Sequence, residues 1–186
     1  MNNTLSSTIW PAAQKSFLKQ AFLAFIGTLL LAVSAKVNIP FWPVPFTMQT
    51  FVVLILGIAY GSKLGFATGL LYLTEGAIGL PVFATGSGFA YLIGPTGGYL
   101  FGFAIAMLLV GILAERGFTK SFRHMIYVML VGELIIFVLG LIWLAKFTGW
   151  QTSFQVGFVQ FIWAELFKIA LAVLTVPLIW RKIKSK

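Results

Sequence analysis

Six apolar runs, each near the length that crosses a hydrocarbon layer, constrain this chain more than any other feature. They lie near residues 17–35, 46–60, 64–80, 97–114, 125–145 and 154–180, and about 20 apolar residues suffice for one helical crossing. In lipid a backbone has to satisfy its own polar groups, so runs of this kind fold as helices. The expectation is an all-α, polytopic membrane protein with six transmembrane helices, residues 1–186 forming a single integral membrane domain. The second run is short and the last is long, so tilt, local thinning or burial in protein has to absorb the mismatch. With 60% apolar and 9% charged residues, the chain has too little polar surface to clothe a water-soluble globule.

Charge then orients the bundle. Lys15, Lys19, Lys63, Arg116, Lys120, Arg123, Arg181, Lys182, Lys184 and Lys186 fall at one set of helix ends, and Lys36 and Lys146 at the other. The positive-inside rule places both termini in the cytoplasm, which requires an even number of crossings. The net charge of +9 is thus a membrane signature, not a nucleic-acid one. Val33-Ser34-Ala35 has the small residues of a signal-peptide cleavage site, but the long leader before it favours a retained helix.

Between the first two runs stands "NIPFWPVPFTMQT", Asn38–Thr50, where Pro40, Pro43 and Pro45 force an extended or turned segment. A second loop, "GAIGLPVFATGSGFAYLIGPTGGYLFG", carries eight glycines on the same outer side. It lacks the Gly-Lys-Ser/Thr of a phosphate cradle; its glycines allow a thin wall that a ligand can approach closely. The pairs Gly57 and Gly61, Gly65 and Gly69, and Gly98 and Gly102 fit close helix packing. Ala24, Thr28 and Ala32 form a small-residue stripe that could face another helix of this chain or a different protein.

Charges inside apolar runs need a partner or a wet cavity. Glu165 and Lys168 are three apart, hence neighbours on one helical face. They are either a self-neutralising pair or an acceptor and a donor set side by side for a ligand that offers both an N–H and a C=O. Gln160 is expected on the same face, Glu133 in an interhelix hydrogen bond, and Glu75 at the outer interface. No nucleophile with a base, metal cluster or cofactor fingerprint emerges, and His124 alone cannot build a metal centre. The chain is not expected to be an enzyme or to carry a cofactor, and the fuel for any uphill transport has to be handled by another chain.

The segments "IPFWPVPFTMQT", "GLPVFATGSGFAYLIGPTGGYLFGF" and "AER" resemble those of the biotin-binding S component of energy-coupling factor (ECF) transporters, the BioY family. The likeness covers nearly the whole chain. It implies a six-helix substrate-capturing protein of the cytoplasmic membrane that docks, through small residues of its first helix, onto a transmembrane coupling subunit carrying two ATPases. Ala24, Thr28 and Ala32 occupy that place. The acid-x-x-Lys pair of the family usually begins with Asp, and here it begins with Glu165. By this resemblance Glu165 takes an N–H of the biotin ureido group and Lys168 gives to its C=O. Phe83, Gly86, Gly88 and Tyr99 pack the fused rings, and the proline-stiffened loop with Thr47, Gln49 and Thr50 closes over the valerate tail. A reversed pose, with Lys168 on the biotin carboxylate, stays open. So do an S component for thiamine or a flavin and a membrane scaffold with a purely structural ion pair.

Overall fold

Each apolar run becomes helical, but the helices differ from the runs in length and continuity. The computed structural model describes residues 4–11 and 16–184; Lys15 and Lys186 of the charge pattern lie outside the described residues, and so does the side chain of Lys184. A short helix, α1 (Leu5–Ile9), precedes α2 (Phe17–Lys36), α3 (Gln49–Tyr60), α4 (Ser62–Ala77), α5 (Phe89–Ile93) and α6 (Gly97–Glu115). Then follow α7 (Phe122–Thr148), α8 (Trp150–Gly157) and α9 (Ile162–Lys184), with single 3-10 turns at Phe118–Lys120 and Val159–Phe161.

Among the described residues four stretches are long and apolar enough to cross a membrane: Phe17–Lys36, Gly97–Glu115, Phe122–Thr148 and Trp150–Lys182. The expected second and third spans are shorter helices of 12 and 16 residues, or about 18 and 24 Å at the usual rise per residue. The proline loop explains the late start of α3, because it holds Phe46–Thr47 extended. There β2 (Phe46–Thr47) pairs antiparallel with β1 (Asn38–Ile39), Asn38 opposite Thr47. This two-residue ladder is a small β addition to the all-α expectation.

At the far end of α3 the chain reverses through Gly61, whose φ of +82° suits glycine. The Glu115 carboxylate, from the end of α6, accepts the Ser62 N–H at 2.8 Å and the Ser62 hydroxyl at 2.9 Å. Negative charge on unsatisfied N–H groups stabilises a helix start, so this contact fixes the α3–α4 hairpin to α6.

The last run, expected as one helix, is interrupted. At Phe158 the backbone takes φ −133° and ψ −60°, and α9 begins afresh four residues later. Tyr99 donates its hydroxyl proton to the Gly157 carbonyl at 2.9 Å, which satisfies an acceptor exposed by the break. Gly157 and Gly140 leave the space in which the Tyr99 ring and hydroxyl sit.

Helix α6 is the centre of the bundle, packed against α3, α4 and α7, with α2 outside α4 and α9 outside α7. Small residues set these approaches. A Cβ on Gly69 would meet the Ala104 Cα at 2.8 Å, and one on Gly98 would meet the Leu139 carbonyl at 2.5 Å. Apolar attraction between helices is weak in lipid, so this backbone proximity supplies the packing energy. Gly57 is the sharpest test: its Cβ would lie 2.8 Å from the Met107 Cα and 2.6 Å from a Val110 methyl carbon. Gly57→Ala should destabilise the purified protein by about 1–3 kcal/mol, as overpacking does elsewhere, read as a lower melting temperature in detergent.

Candidate functional site

The proline loop is a lid fastened at several points. Val44, Pro43 and Pro45 are buried, while Trp42 stands in the open at 80% exposure. Phe46 stacks on Phe161 with centroids 4.1 Å apart, and Phe41 meets Phe46 edge-on. The Met48 N–H donates to the Val37 carbonyl. The Trp42–Pro43 peptide is cis. With three prolines in six residues the loop has few conformations to lose when it orders.

Beneath the lid lies the charged cluster. Lys168 Nζ donates to the Thr47 carbonyl at 2.7 Å, to Thr50 Oγ1 at 2.8 Å and to Glu165 Oε1 at 2.8 Å. Thr50 passes its own proton to Glu165 Oε2 at 2.8 Å. An ammonium has three donors, and all three are used. Glu165 and Lys168 are each 5% exposed, so the pair sits in a low-dielectric setting where such bonds are strong and their loss is expensive.

Glu165 forms part of the wall of a cavity of about 50 Å³, together with Thr47, Gln49, Thr50 and Tyr99. Of the residues singled out in the sequence, these five meet there. Lys168 stands directly behind Thr50 and Glu165. Phe83, Gly86 and Gly88 do not line the cavity; they build its support. The Phe83 ring fills the space over Gly76 and stacks on Tyr91, and Gly86 lets the Tyr91 ring approach. Gly88 has φ +86° and donates its N–H to the Gly76 carbonyl. Tyr91 is the wall residue these three hold. Lys36 donates to the Phe83 carbonyl and ties the same loop to the end of α2.

The remaining wall comes from residues the sequence reading passed over: Tyr91, Thr96, Phe103, Phe137 and Phe161 among them. Phe103 lies one turn beyond Tyr99, a spacing that points both to the same side of α6 and could have found it. Phe137 and Phe161 have no such signal, because an apolar ring facing a cavity and one facing lipid look alike in sequence.

Ala24 and Thr28 are turned inward, and Ala32 is half-buried. Thr28 donates to Glu75 Oε1 on α4 at 3.0 Å as well as to its own helix at Phe25. Of the stripe's two readings, its placement is that of a contact within this chain. The outward face of α2 consists of larger residues such as Phe22, Phe25 and Leu29. Gln160 is exposed, away from the face on which it was expected.

Glu133 is corrected as well. In place of an interhelix hydrogen bond, both of its carboxyl oxygens are buried without a partner, alone in this among the described residues. It faces Glu165 and Lys168; the lysine's protons already go elsewhere, so the one bond open to Glu133 is donation of its own carboxyl proton to Glu165. A groove between α7 and α9, lined by Leu130, Leu134, Phe137, Leu166 and Ile169, has Glu133 and Glu165 on its floor.

With this geometry in view, the chain matches the BioY family over residues 2–185. It is 39% identical to a probable biotin transporter BioY of Pyrococcus horikoshii, over 84% of this chain and 93% of the relative. It is 40% identical to the biotin transporter BioY of Thermotoga maritima, over the same shares of each. Among solved structures it resembles the 2.1 Å crystal structure of the S-component for biotin from an ECF-type ABC transporter. The TM-score is 0.75 at 26% identity, covering 88% of this chain and 92% of that one.

Two stability measurements follow from the cluster. Lys168→Met leaves Glu165 Oε1 and the Thr47 carbonyl without their donor, and the buried carboxylate without its counter-charge, and should cost about 3–5 kcal/mol. Adding Glu165→Leu should return a large part of that loss, and equal instability of the single and double variants would mean that the ion pair is not its source. Glu133→Leu removes two unpartnered buried oxygens and should raise stability by about 1–3 kcal/mol, seen as a higher melting temperature in detergent.

Proposed function

Because this chain belongs to the BioY family, we propose that it is the biotin-binding S component of an energy-coupling factor transporter. It serves biotin uptake as a multi-pass protein of the cell membrane. The observation that carries the reading is the pairing of Glu165 and Lys168, 2.8 Å apart beneath the lid. Biotin presents the complementary set, a ureido N–H beside a ureido C=O, on a rigid and mostly apolar bicycle.

In the bound state Glu165 accepts the N–H and Lys168 gives to the C=O. Thr50, which both accepts from Lys168 and donates to Glu165, keeps the two groups in register while they exchange partners. The aromatic walls at Tyr91, Tyr99 and Phe137 take the ring faces, and the lid from Val44 to Thr47 covers the valerate tail. Small-molecule sites commonly measure about 300–1,000 Å³, against about 50 Å³ here, so the lid and its Phe46–Phe161 stack open to admit the ligand. Lys168 leaves the Thr47 carbonyl as it turns to the substrate, which couples ligand capture to lid position.

The short helices α3 and α4 complete six crossings in this reading, with both termini cytoplasmic. Arg116, Lys120, Arg123, Arg181 and Lys182 lie at the ends of α6 and α9, at the start of α7 and in the 3-10 turn between α6 and α7. Lys120 lies over the Trp180 ring, 5.4 Å from its centroid, which joins cation and aromatic at one interface as membrane proteins do. The chain has no catalytic role; a transmembrane coupling subunit and its ATPases supply the energy. Its docking face is on α2, to which the stripe Ala24, Thr28 and Ala32 gives shape from within.

Micromolar biotin should raise the melting temperature of the purified protein, while thiamine and riboflavin leave it unchanged. Glu165→Ala should weaken biotin binding by at least about tenfold, a loss of some 1.4 kcal/mol or more. A flat response to every vitamin would reject the reading. Lys168→Ala separates the poses: if it lowers affinity for biotin and for biotin amide equally, Lys168 serves the ureido group and not the carboxylate.

A further inference from the structure

Gln49 borders the cavity and is 3% exposed. Its Nε2 lies 2.6 Å from the Tyr72 hydroxyl, which lies 2.8 Å from the Val82 carbonyl. A phenol carries one proton, and a carbonyl oxygen can only accept. The Tyr72 proton therefore points to Val82, and the lone pair left for Gln49 can be met only by an N–H. Two amide orientations fit the same side-chain shape; this chain of bonds selects the one with NH2 on Tyr72 and C=O turned away. Gln49 Oε1 accepts no hydrogen bond from the described residues. It is not sealed in protein either, since the buried unpartnered side-chain atoms among those residues are the two Glu133 oxygens. It opens on the cavity.

We propose that Tyr72 is a positioning residue for substrate recognition, locking the Gln49 amide so that its carbonyl accepts the second ureido N–H while Glu165 takes the first. This rests on the reading of the chain as a biotin-binding protein. Tyr72 itself is 1% exposed and does not line the cavity, so it acts through Gln49 alone. An amide locked the other way would offer its NH2 to a carboxylate. Locked as it is, the carbonyl oxygen repels one. Gln49 and Thr50 are consecutive, and Thr50 is bonded to Glu165, so the two acceptors flank one end of the cavity. That end takes the ureido head, and the valerate carboxylate lies at the other. Gln49 thereby leaves the role over the tail that the resemblance gave it.

The test is equilibrium binding to the purified full-length chain of three ligands: biotin and the two biotins methylated on one or the other ureido nitrogen. Tyr72→Phe keeps the ring that meets Phe83 edge-on at 5.4 Å and removes only the hydroxyl. It should weaken biotin about tenfold and shrink the preference for biotin over one methylated ligand by the same factor, with the preference over the other unchanged. Gln49→Met, which lacks the acceptor, should reproduce this pattern. Equal weakening of all three ligands, the mark of a packing role, would overturn the proposal, and so would no change in any. If Tyr72→Phe does not fold, unchanged selectivity in Gln49→Met overturns it alone. Folded wild-type protein that fails to bind biotin at all would bring down the underlying reading too, which separates the two failures.

Discussion

The ammonium of Lys168 holds the functional half of the structure together. Its three protons reach the lid at Thr47, the start of α3 at Thr50 and its own helix at Glu165. No other side chain described here joins those three elements by charge-assisted bonds in so dry a setting. Burying a lysine at this depth is tolerable only because every donor is met and a carboxylate balances the charge. The same completeness makes the site responsive, because anything that competes for one of these bonds disturbs all three elements.

A second layer supports this one through backbone approach. Gly76 admits the Phe83 ring, Gly86 admits the Tyr91 ring, and Gly140 with Gly157 admits Tyr99. Two of these rings form the cavity wall, and the third holds one of them from behind. The glycine-rich loop is thus a thin support that holds the aromatic side chain of Tyr91 against the cavity. The relay from Val82 through Tyr72 to Gln49 connects that support to the first turn of α3, so both loops bear on one site.

Much of the fold was readable from residue pattern. The apolar runs located the helices, and the spacing of Glu165 and Lys168 placed them on one face because helical geometry leaves no other choice. The prolines marked the lid for an equally local reason. What escaped was decided by contacts between distant residues. Only Gly157 stands near Phe158 as a local hint of a break, and a lone glycine inside a helical run is tolerated; the interruption depends on Tyr99 meeting the Gly157 carbonyl from another helix. Thr28 looked free to face outward because its acceptor, Glu75, lies on α4. Phe83 and Tyr91 are both aromatic residues in one loop, and only packing over Gly76 determines which is wall and which is buttress. Glu133 was expected to find a partner, a sound default for a buried carboxyl, but Lys168 spends its protons elsewhere and Glu165 can only accept one, so any bond has to use the proton of Glu133 itself.

The interruption at Phe158 has an electrostatic consequence. In an unbroken rod Glu165 would sit among peptide dipoles that cancel along their length. Because α9 starts at Ile162, the acid falls in its first turn, where unpaired N–H groups concentrate about half a positive charge. The discontinuity therefore sets a favourable field at the residue that most needs one, worth about 0.3–2 kcal/mol by the usual scale of such effects. It does so inside the bundle, where Glu165 is buried and solvent screens little.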